Sequence, residues 1–415
     1  MKRIFVLLTL MSLTLNLFSD ASGLQVRGGL PHFFSRIQNK EMVTVAYLGG
    51  SITEWEKGYR EQTAAWMQKT YPSCKFRFIN AGVGGTGSNL GVYRTDKDVL
   101  AYNPDLVFVE FAVNDRKTDS LDIVNSVEGI IHKIYQNNVK TDICMLYTIN
   151  EDMLLALQRG GHVRSVETME KICDYYHIAS INLQPDILKR LKSHELIFRG
   201  KGPFMDNQMV FCEDGTHPFP QTGHKLYAET IKKALETLSK ERKVVVNHAL
   251  KKPLLGNIDL SEAKIYPLTN KFLKGKWVTP SNSTMNDYLA KKDILVLEDS
   301  ADAAFLRFSF EGNQFGFYDI IGPESGCVEI SIDGKTPYEA MRFDDFCQFY
   351  RKHFYLSEYL PEGKHVVIIK NKVKQINKIE RLRTRFSDDS IGDKSRYDKS
   401  CFFPFAILVN GIITE

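Results

Sequence analysis

The sequence lacks the patterns that mark several classes of protein. Its seven cysteines include no C-x-x-C pair, so the usual spacing of zinc-binding cysteines is absent. No dense basic stretch interleaved with aromatic residues occurs, and 54 basic against 50 acidic residues leave a net charge of only +4. This balance argues against a nucleic-acid partner. The remaining composition, 43% hydrophobic and 25% charged, is typical of a globular protein.

Long apolar runs are also missing, except at the N-terminus. Lys2 and Arg3 precede residues 4–18, which are almost wholly apolar, and small residues follow up to Ala21. This order predicts a secretory signal peptide over residues 1–21, since the run is shorter than the roughly 20 residues that span a bilayer. No cysteine follows it, so we expect no lipid anchor. We expect an exported protein, periplasmic or extracellular, with no membrane span in the mature chain.

The stretch from about Met42 to Lys240 alternates short apolar runs with amphipathic ones. Because 415 residues exceed the usual size of one hydrophobic core, we expect two domains and assign residues 22–246 to the first. Several runs are apolar on both faces, as in strands buried in a parallel sheet. The pattern predicts a three-layer α/β domain with a mostly parallel sheet. The predicted strands are 43–48, 76–79, 106–113, 143–147 and 178–181, and the predicted helices are 59–70, 121–136, 163–176 and 222–239.

Residues 184–212 interrupt this alternation and contain a cluster of helix- and strand-breaking residues at 199–203. Two interpretations stay open. The stretch is either an insertion that leads back to the active centre and shapes the substrate pocket, or a plain surface loop.

After about Val246 the sequence changes to short β-prone segments separated by turn signals such as Asp333-Gly334. No helical pattern comparable with that of the first half follows. We therefore predict an antiparallel, jelly-roll-like β-sandwich over residues 260–415, joined to the first domain within residues 247–259. The predicted strands are 304–310, 314–318, 328–332, 349–356, 365–370 and 405–409.

Two segments far apart in the chain carry the residue types of serine-based acyl transfer. Gly49-Gly50-Ser51 follows the first predicted strand, and Asp214-Gly215-Thr216-His217-Pro218 lies near the end of the α/β region. Serine is a weak nucleophile alone, so it needs an imidazole base that a carboxylate holds in the right tautomer. Taken alone, Gly-Gly-Ser is also a common flexible turn. His224, seven residues beyond His217, is expected to be structural or on the surface.

Two further segments follow predicted strands. Residues 80–88 are rich in glycine, and their backbone N–H groups could bind a phosphate or an oxyanion, or simply form a tight connection to a helix. The Lys-Ser/Thr ending of a P-loop is missing. Asn114-Asp115 follows the third strand. The Asn114 amide could donate to an oxyanion, or the pair could cap a turn.

The order and character of these four segments resemble the SGNH or GDSL hydrolase family, whose sequence blocks supply Ser, Gly, Asn and His in that order. The resemblance extends from about Val43 to Leu238. It departs from the family pattern at Gly50, where the first block usually has Asp, and at Ala112, where the third block usually begins with Gly. The resemblance implies a flavodoxin-like fold and the following site: nucleophile Ser51, base His217, orienting carboxylate Asp214, and an oxyanion hole of the Ser51 N–H, the Gly85 N–H and the Asn114 side chain.

The implied activity is that of a secreted serine esterase that removes acetyl or other short acyl groups, with a carbohydrate as the expected alcohol part. The expected partner is an acylated small molecule or polysaccharide, and the resemblance implies neither a cofactor nor a metal. Trp55, Tyr59 and Tyr93 are candidates for stacking on a sugar, and the alternative, which residues of this type favour, is that each packs in the core. Two alternatives remain: an O-acyltransferase with the same triad, and a glycan-binding protein whose site is inert.

Overall fold

The computed structural model describes residues 23–241, 247–250, 254–280, 304–374 and 376–415. The predicted signal peptide, residues 1–21, and part of the predicted join lie outside the described residues. The described chain has an N-terminal α/β part and a C-terminal all-β part, which agrees with the predicted fold class. Within the described residues, none of the helices has both the length and the apolar character needed to cross a bilayer.

A six-stranded sheet forms the centre of the N-terminal part. Its strands in chain order are β1 (Leu24–Gln25), β2 (Met42–Gly49), β3 (Lys75–Gly82), β4 (Leu106–Glu110), β5 (Asp142–Tyr147) and β6 (Ala179–Asn182). The spatial order is β1-β6-β5-β4-β2-β3, in which β2 to β6 are parallel and the short β1 is antiparallel to β6. Strands β4 and β5 are buried on both faces, which explains why their sequences are continuously apolar.

Helices pack around this sheet. Among the described residues they are α1 (Pro31–Gln38), α2 (Ser51–Glu54), α3 (Tyr59–Thr70), α4 (Ser88–Asp98), α5 (Ser120–Asn137), α6 (Glu151–Gln158), α7 (Arg164–Tyr176), α8 (Gln184–Lys192) and α9 (Gly223–Lys240). Helix α3 packs against α9, whereas α4 and α7 both pack against α5. These two groups enclose the sheet and make the three layers that the sequence predicts.

Helix α4 is absent from the sequence prediction. Gly91 lies in its interior, and glycine is a poor helix former. In the structure a Cβ on Gly91 would lie 2.6 Å from Cζ of Phe111, just beyond the end of β4. The close approach of helix and sheet therefore requires glycine at position 91. The same glycine weakens the helical pattern in the sequence, which explains why the sequence does not predict the helix.

The stretch that interrupts the predicted alternation contains α8 and a small separate sheet. The strands of this sheet are β7 (Leu196–Arg199), β8 (Phe204–Met205) and β9 (Gln208–Cys212), in the order β7-β9-β8. Asp206 and Asn207 connect β8 to β9 with φ of 48° and 64°, as in a two-residue hairpin turn. Strand β9 ends two residues before Asp214, so the stretch leads directly into the segment that carries the candidate base.

The C-terminal part is an antiparallel sheet that surrounds a core of its own. Its strands are β10 (Ala263–Pro267), β11 (Leu273–Lys274), β12 (Phe305–Ile321), β13 (Cys327–Ile332), β14 (Tyr338–Met341), β15 (Arg351–Leu356), β16 (Gly363–Lys372) and β17 (Phe403–Ile413), and the described part also contains the helices α10 (Lys378–Arg383) and α11 (Asp388–Ile391). β12 pairs with β17 along one edge, and with β16 and then β15 along the other. The fold is therefore β-sandwich-like, as predicted.

Strand β12 corrects the prediction of two separate strands at 304–310 and 314–318. Gly312 and the residues after it read as a turn, yet they form a bulge within one strand, where the register against β17 shifts between Gly312 and Gln314. The extra residue changes which side chains face inward, because strand side chains alternate. Phe308 and Phe310 before the bulge, and Phe315 and Phe317 after it, all belong to the same buried core.

The two parts pack directly on each other. Tyr318, Ala406 and Leu408, on the outer side of β12 and β17, belong to the same buried apolar cluster as the core of the α/β part. The hydroxyl of Tyr93 in α4 donates a buried hydrogen bond of 2.8 Å to Oε1 of Gln314 in β12. The C-terminal sheet thus lies against the face of the α/β part that α4 forms.

Candidate active site

Four segments that carry the candidate residues meet at one edge of the α/β sheet, where its parallel strands end. Ser51 begins α2 directly after β2, Gly85 lies in the loop after β3, and Asn114 lies just beyond β4. β2 pairs in register with both β3 and β4, so the ends of these three strands are neighbours. The fourth segment, residues 214–217, connects β9 to α9. This edge of a doubly wound sheet is the usual place for a ligand site.

Ser51, His217 and Asp214 form a continuous hydrogen-bonded chain. Ser51 Oγ lies 2.8 Å from His217 Nε2, and His217 Nδ1 lies 2.6 Å from Asp214 Oδ2. The other carboxylate oxygen, Oδ1, accepts the backbone N–H groups of Thr216 and His217 at 2.9 and 2.8 Å. The carboxylate therefore turns back over its own loop to reach the imidazole three residues away.

These contacts set the charge of Asp214. Burial alone raises its pKa, but the hydrogen bonds from His217 and from the backbone outweigh burial and hold the pKa of Asp214 well below its ordinary value. The carboxylate is therefore ionised at neutral pH and accepts a proton that His217 carries on Nδ1. Nε2 is then left with its lone pair directed at Ser51 Oγ, which is the arrangement of a general base.

Gly215 makes the turn between Asp214 and His217 possible. Its φ is +82°, and a Cβ there would lie 2.7 Å from Oε2 of Glu151 at the start of α6. The Glu151 N–H donates to Gly215 O at 2.8 Å, and Arg199 of β7 donates to Glu151 Oε2 at 3.2 Å. Glu151 of α6 thus stabilises this turn directly, and Arg199 of the insertion stabilises it through Glu151. Residues 184–212 therefore lead back to the segment that carries the candidate base, in agreement with that part of the first interpretation.

Three N–H groups beside Ser51 have no acceptor among the described residues. They are the backbone N–H of Ser51, the backbone N–H of Gly85 and the side-chain amide of Asn114. Gly85 has a φ of +72°, and a Cβ on the preceding Gly84 would lie 3.7 Å from Ser51 Cβ, so the glycine loop passes next to the serine. Glu54 Oε2 accepts the Gly84 N–H at 2.8 Å and fixes this loop to α2.

The side chain of Asn114 lies against Gly50, one of the two departures from the family pattern. A Cβ on Gly50 would lie 2.2 Å from Asn114 Oδ1 and 2.9 Å from its Cγ. Contacts this short do not occur between non-bonded atoms, so any side chain at position 50 requires the Asn114 amide to shift. In this chain the amide packs directly against the backbone that precedes Ser51.

A buried polar network lies beneath the serine. The fully buried carboxylate of Glu110, at the end of β4, accepts hydrogen bonds from the hydroxyls of Thr53 at 3.0 Å and Thr148 at 2.6 Å. Burial raises the pKa of Glu110. The Thr53 hydroxyl also lies 2.8 Å from the hydroxyl of Tyr59 in α3. The network ties α2, which carries Ser51, to the strands on which it rests.

Arg94 is a further supporting residue that sequence reasoning missed. Its guanidinium is buried, and it donates to the carbonyl oxygens of Gly49, at 2.7 Å, and of Ala81. These carbonyls lie at the ends of β2 and β3, the strands that lead to Ser51 and to the glycine loop. Burial lowers the pKa of Arg94, an effect that its ion pair with Asp98 opposes. Nothing in the local sequence distinguishes this arginine from one on a helix surface.

Of the three aromatic residues proposed for sugar stacking, only Trp55 is accessible. It is 42% exposed, and its ring stacks on that of His217 with centroids 5.3 Å apart and planes inclined by 23°. Tyr59 and Tyr93 are buried and cannot meet a ligand, because their rings pack in the core. Trp55 therefore lies at the entrance of the site and directly against the candidate base.

His224 is a core residue, in line with one of the two expectations for it. Its side chain is buried, and Nδ1 accepts the backbone N–H of Tyr59 at 3.1 Å. Burial, together with the nearby His217, lowers the pKa of His224 to about 3. The ring is therefore neutral and helps to hold the start of α3.

A cleft lies between the two parts of the protein, with a volume of about 180 Å³. Asn89 at the start of α4 and Thr118 beyond β4 line it on the α/β side, and residues 356–359 line it on the C-terminal side. Asn89 and Thr118 lie at the same edge of the sheet as Ser51. The C-terminal part thus borders the edge of the sheet where the candidate residues meet.

Comparison with known proteins identifies the α/β part. Residues 47–226 match the model of the GDSL-like lipase/acylhydrolase family. No curated protein matches the chain. Among solved structures, the chain is similar to a two-domain esterase (CEX) active on acetylated mannans and co-crystallised with mannopentaose, with 19% identity, a TM-score of 0.66, and coverage of 95% of this chain and 98% of that one. This similarity shows a common fold for both parts.

Two other solved structures are also similar. A second structure of CEX, an esterase active on acetylated mannans, gives 19% identity and a TM-score of 0.66 over 93% of this chain and 97% of that one. An acetyl xylan esterase, AlAXEase, is 22% identical with a TM-score of 0.37, and the similarity covers 46% of this chain and 100% of that one.

Proposed function

We propose that the protein releases acetyl or other short acyl groups from a carbohydrate. Residues 47–226 form a GDSL-like lipase/acylhydrolase domain, so the protein is a carboxylic ester hydrolase. The observation that carries the proposal is the hydrogen-bonded chain of Ser51 Oγ, His217 and Asp214, with distances of 2.8 and 2.6 Å. These three side chains are a nucleophile, a base and an orienting carboxylate, and they make the contacts that serine acyl transfer needs.

In the proposed mechanism, Ser51 Oγ attacks the ester carbonyl carbon while His217 Nε2 takes the hydroxyl proton. Asp214 stays ionised and stabilises the imidazolium. Negative charge develops on the carbonyl oxygen. The Ser51 N–H, the Gly85 N–H and the Asn114 amide, which have no acceptor among the described residues, donate hydrogen bonds to this oxygen and stabilise the charge. His217 then gives its proton to the leaving sugar hydroxyl, and the acyl group remains on Ser51.

Water completes the reaction in a second step of the same kind. His217 removes a proton from the water as the water oxygen attacks the acyl carbon. The tetrahedral intermediate then collapses as His217 returns this proton to Ser51 Oγ, which releases the carboxylic acid and restores the Ser51 hydroxyl. None of these steps requires a group beyond the chain, the ester and water.

A carbohydrate as the alcohol part is supported by two features outside the triad. Trp55 presents an exposed indole at the site, and aromatic faces of this kind suit the apolar faces of sugar rings. A cleft bordered by Asn89, Thr118 and residues 356–359 lies at the same edge of the sheet as Ser51, and we propose that it binds a part of the polymer beyond the ester. CEX, which has the same two-part fold, is active on acetylated mannans, and we propose an acetylated polysaccharide here also.

The test measures acetate released from acetylated polysaccharides and from an aryl acetate by the wild type, by Ser51→Ala and by Ser193→Ala. Ser193 is the matched control, because it is an exposed serine whose hydroxyl donates a hydrogen bond to Glu195. We expect turnover by the wild type and the control and none above background by Ser51→Ala. Equal rates for Ser51→Ala and the wild type would refute the triad, and a sugar acceptor that outcompetes water would make the protein an acyltransferase.

We also propose that the protein is exported with loss of residues 1–21. The basic start, the apolar run and the small residues up to Ala21 support this. N-terminal sequencing of the protein recovered from outside the cytoplasm should begin at or near Ser22. Recovery of the chain from the cytoplasm alone, with Met1 intact, would contradict the proposal.

A further inference from the structure

A second group of side chains with metal-binding chemistry lies at the opposite edge of the α/β sheet. Asp142 is the first residue of β5, and this strand runs parallel to the strands that end at the candidate active site. His32 from α1 and His248 from the segment between the two parts lie beside it. One ligand atom from each of the three residues lies within 4.8 Å of the others. The geometry points to a binding site for a divalent transition-metal ion, with Zn²⁺ as the best-matched ion.

The donor set agrees with this class of ion. Two imidazole nitrogens and one carboxylate oxygen suit Zn²⁺, which takes four ligands in a tetrahedral arrangement. His248 Nε2 lies 2.8 Å from Asp142 Oδ1, so these two donor atoms are close enough for one ion to replace the hydrogen bond between them. The rings of His32 and His248 have centroids 5.4 Å apart and are inclined by 63°, so they approach edge to face. A water molecule would complete the coordination.

Neighbouring groups hold two of these ligands in place. Asp142 Oδ2 accepts the backbone N–H of Phe33 at 2.8 Å, which fixes the carboxylate and leaves Oδ1 turned towards His248. Tyr135 of α5 stacks on the His248 ring with centroids 4.8 Å apart and planes inclined by only 11°. Such outer contacts are what orients ligands in known metal sites.

The buried carboxylate of Asp142 also favours the binding of a cation. The side chain of Asp142 is fully buried, and His248 is the sole ion-pair partner that it has among the described residues. Arg36, one turn along α1 from His32, is engaged instead by Asp105 and Glu41. A buried carboxylate is costly unless positive charge compensates it. A divalent ion between the three side chains supplies that charge.

The ion would connect three segments that are distant in sequence. α1 lies near the start of the described chain, β5 lies in the central sheet, and His248 belongs to the short segment that leads towards the C-terminal part. The site is therefore structural: it fastens this segment and α1 to the sheet. Because it lies at the edge of the sheet away from Ser51, ester turnover does not depend on it directly, and the failure of either proposal leaves the other intact.

The test uses the full-length mature chain without an affinity tag, freed of metal with a chelator and then titrated with Zn²⁺ or Co²⁺. Bound metal is measured by elemental analysis after dialysis, Co²⁺ ligation by its visible absorption, and stability by thermal unfolding with and without Zn²⁺. The variants are His32→Gln, His248→Gln and Asp142→Asn. The control is His162→Gln, since His162 is a histidine whose side chain is 78% exposed.

We expect about one equivalent of Zn²⁺ in the wild type and in the control, and a Zn²⁺-dependent rise in Tm in both. Each ligand variant should lower the affinity about tenfold or more and lose the rise in Tm. The aryl acetate rate should be the same for metal-free and Zn²⁺-loaded wild type. If the wild type takes up no more metal than the double variant His32→Gln/His248→Gln, or if His32→Gln binds as the wild type does, the proposal is wrong. Failure of the wild type to retain Zn²⁺ after dialysis would by itself contradict the proposal, even if a variant fails to fold.

Discussion

Replacing Gly50 by alanine tests the tightest contact of the proposed oxyanion site. The added Cβ would lie 2.2 Å from Asn114 Oδ1, so one of the two groups must move. The Asn114 amide ends a side chain that can rotate, whereas Gly50 immediately precedes the nucleophile and follows β2 in the sheet. We therefore expect the amide to leave its position and the active site to lose one hydrogen-bond donor.

The size of the effect follows from the role proposed for that donor. Loss of one oxyanion donor raises the barrier by roughly 2.7–4 kcal/mol, which lowers kcat about a hundredfold to a thousandfold. Asn114→Ala removes the same donor and should lower kcat to a similar extent. If Gly50→Ala acts only by displacing Asn114, the double variant should be no slower than Asn114→Ala. Independent effects would instead multiply, to a loss of roughly ten-thousandfold or more.

The assay is the steady-state hydrolysis of an aryl acetate by the wild type, the two single variants and the double variant. Gly200→Ala is the control, because a Cβ there meets nothing closer than Val210 Cγ1 at 3.3 Å and the position lies in the turn after β7. Thermal unfolding checks that each variant is folded. Two results would refute the proposal that displacement of the Asn114 amide lowers kcat. One is full kcat in Gly50→Ala, and the other is losses that multiply in the double variant.

Three further predictions concern residues around the same site. Asp214→Asn removes the anion that orients His217 and should lower kcat about 10⁴-fold with KM little changed; a loss under tenfold would contradict its role. Trp55→Ala should lower kcat/KM more on an acetylated polysaccharide than on an aryl acetate, whereas Trp55→Phe, which keeps an aromatic face, should lose less on the polymer; equal losses on both substrates would rule out a contact with the sugar. Burial lowers the pKa of His224 to about 3, so the unfolded chain binds a proton there that the folded chain does not. Stability should therefore fall as the pH drops from about 6.5 towards 3, by about 2 kcal/mol between pH 7 and 5, and urea unfolding of His224→Asn should show a smaller loss; an identical pH dependence would contradict the assignment.

The α/β architecture is predictable because it rests on local patterns. Strands buried on both faces must be apolar throughout, as β4 and β5 are, and this makes them visible in a single sequence. Ser51 and residues 214–217 are visible for a related reason, since each lies in a short segment whose glycines and polar residues have a definite chemical use. The order of these segments then carries the resemblance to a family.

The features that the sequence does not reveal depend on contacts between distant residues. Tyr59 and Tyr93 have the same character as Trp55, and only their burial shows that they cannot meet a sugar. The bulge in β12 reads locally as a turn, and pairing with β17 on both sides of it makes one strand. The contact between Gly50 and Asn114 joins residues that follow two different strands, β2 and β4, so no local sequence pattern indicates it.

Helix α4 shows how the C-terminal part bears on the chemistry. Arg94 holds the carbonyl oxygens of Gly49 and Ala81, which end the two strands leading to Ser51 and to the glycine loop. The residue before it, Tyr93, donates a buried hydrogen bond to Gln314 of β12. Two adjacent residues of one helix therefore contact the strand ends beneath the active site and the C-terminal sheet. Because α4 also begins directly after the glycine loop, displacement of the C-terminal sheet would move the helix that fixes both strand ends. These contacts give the C-terminal part a structural role in bracing the active site.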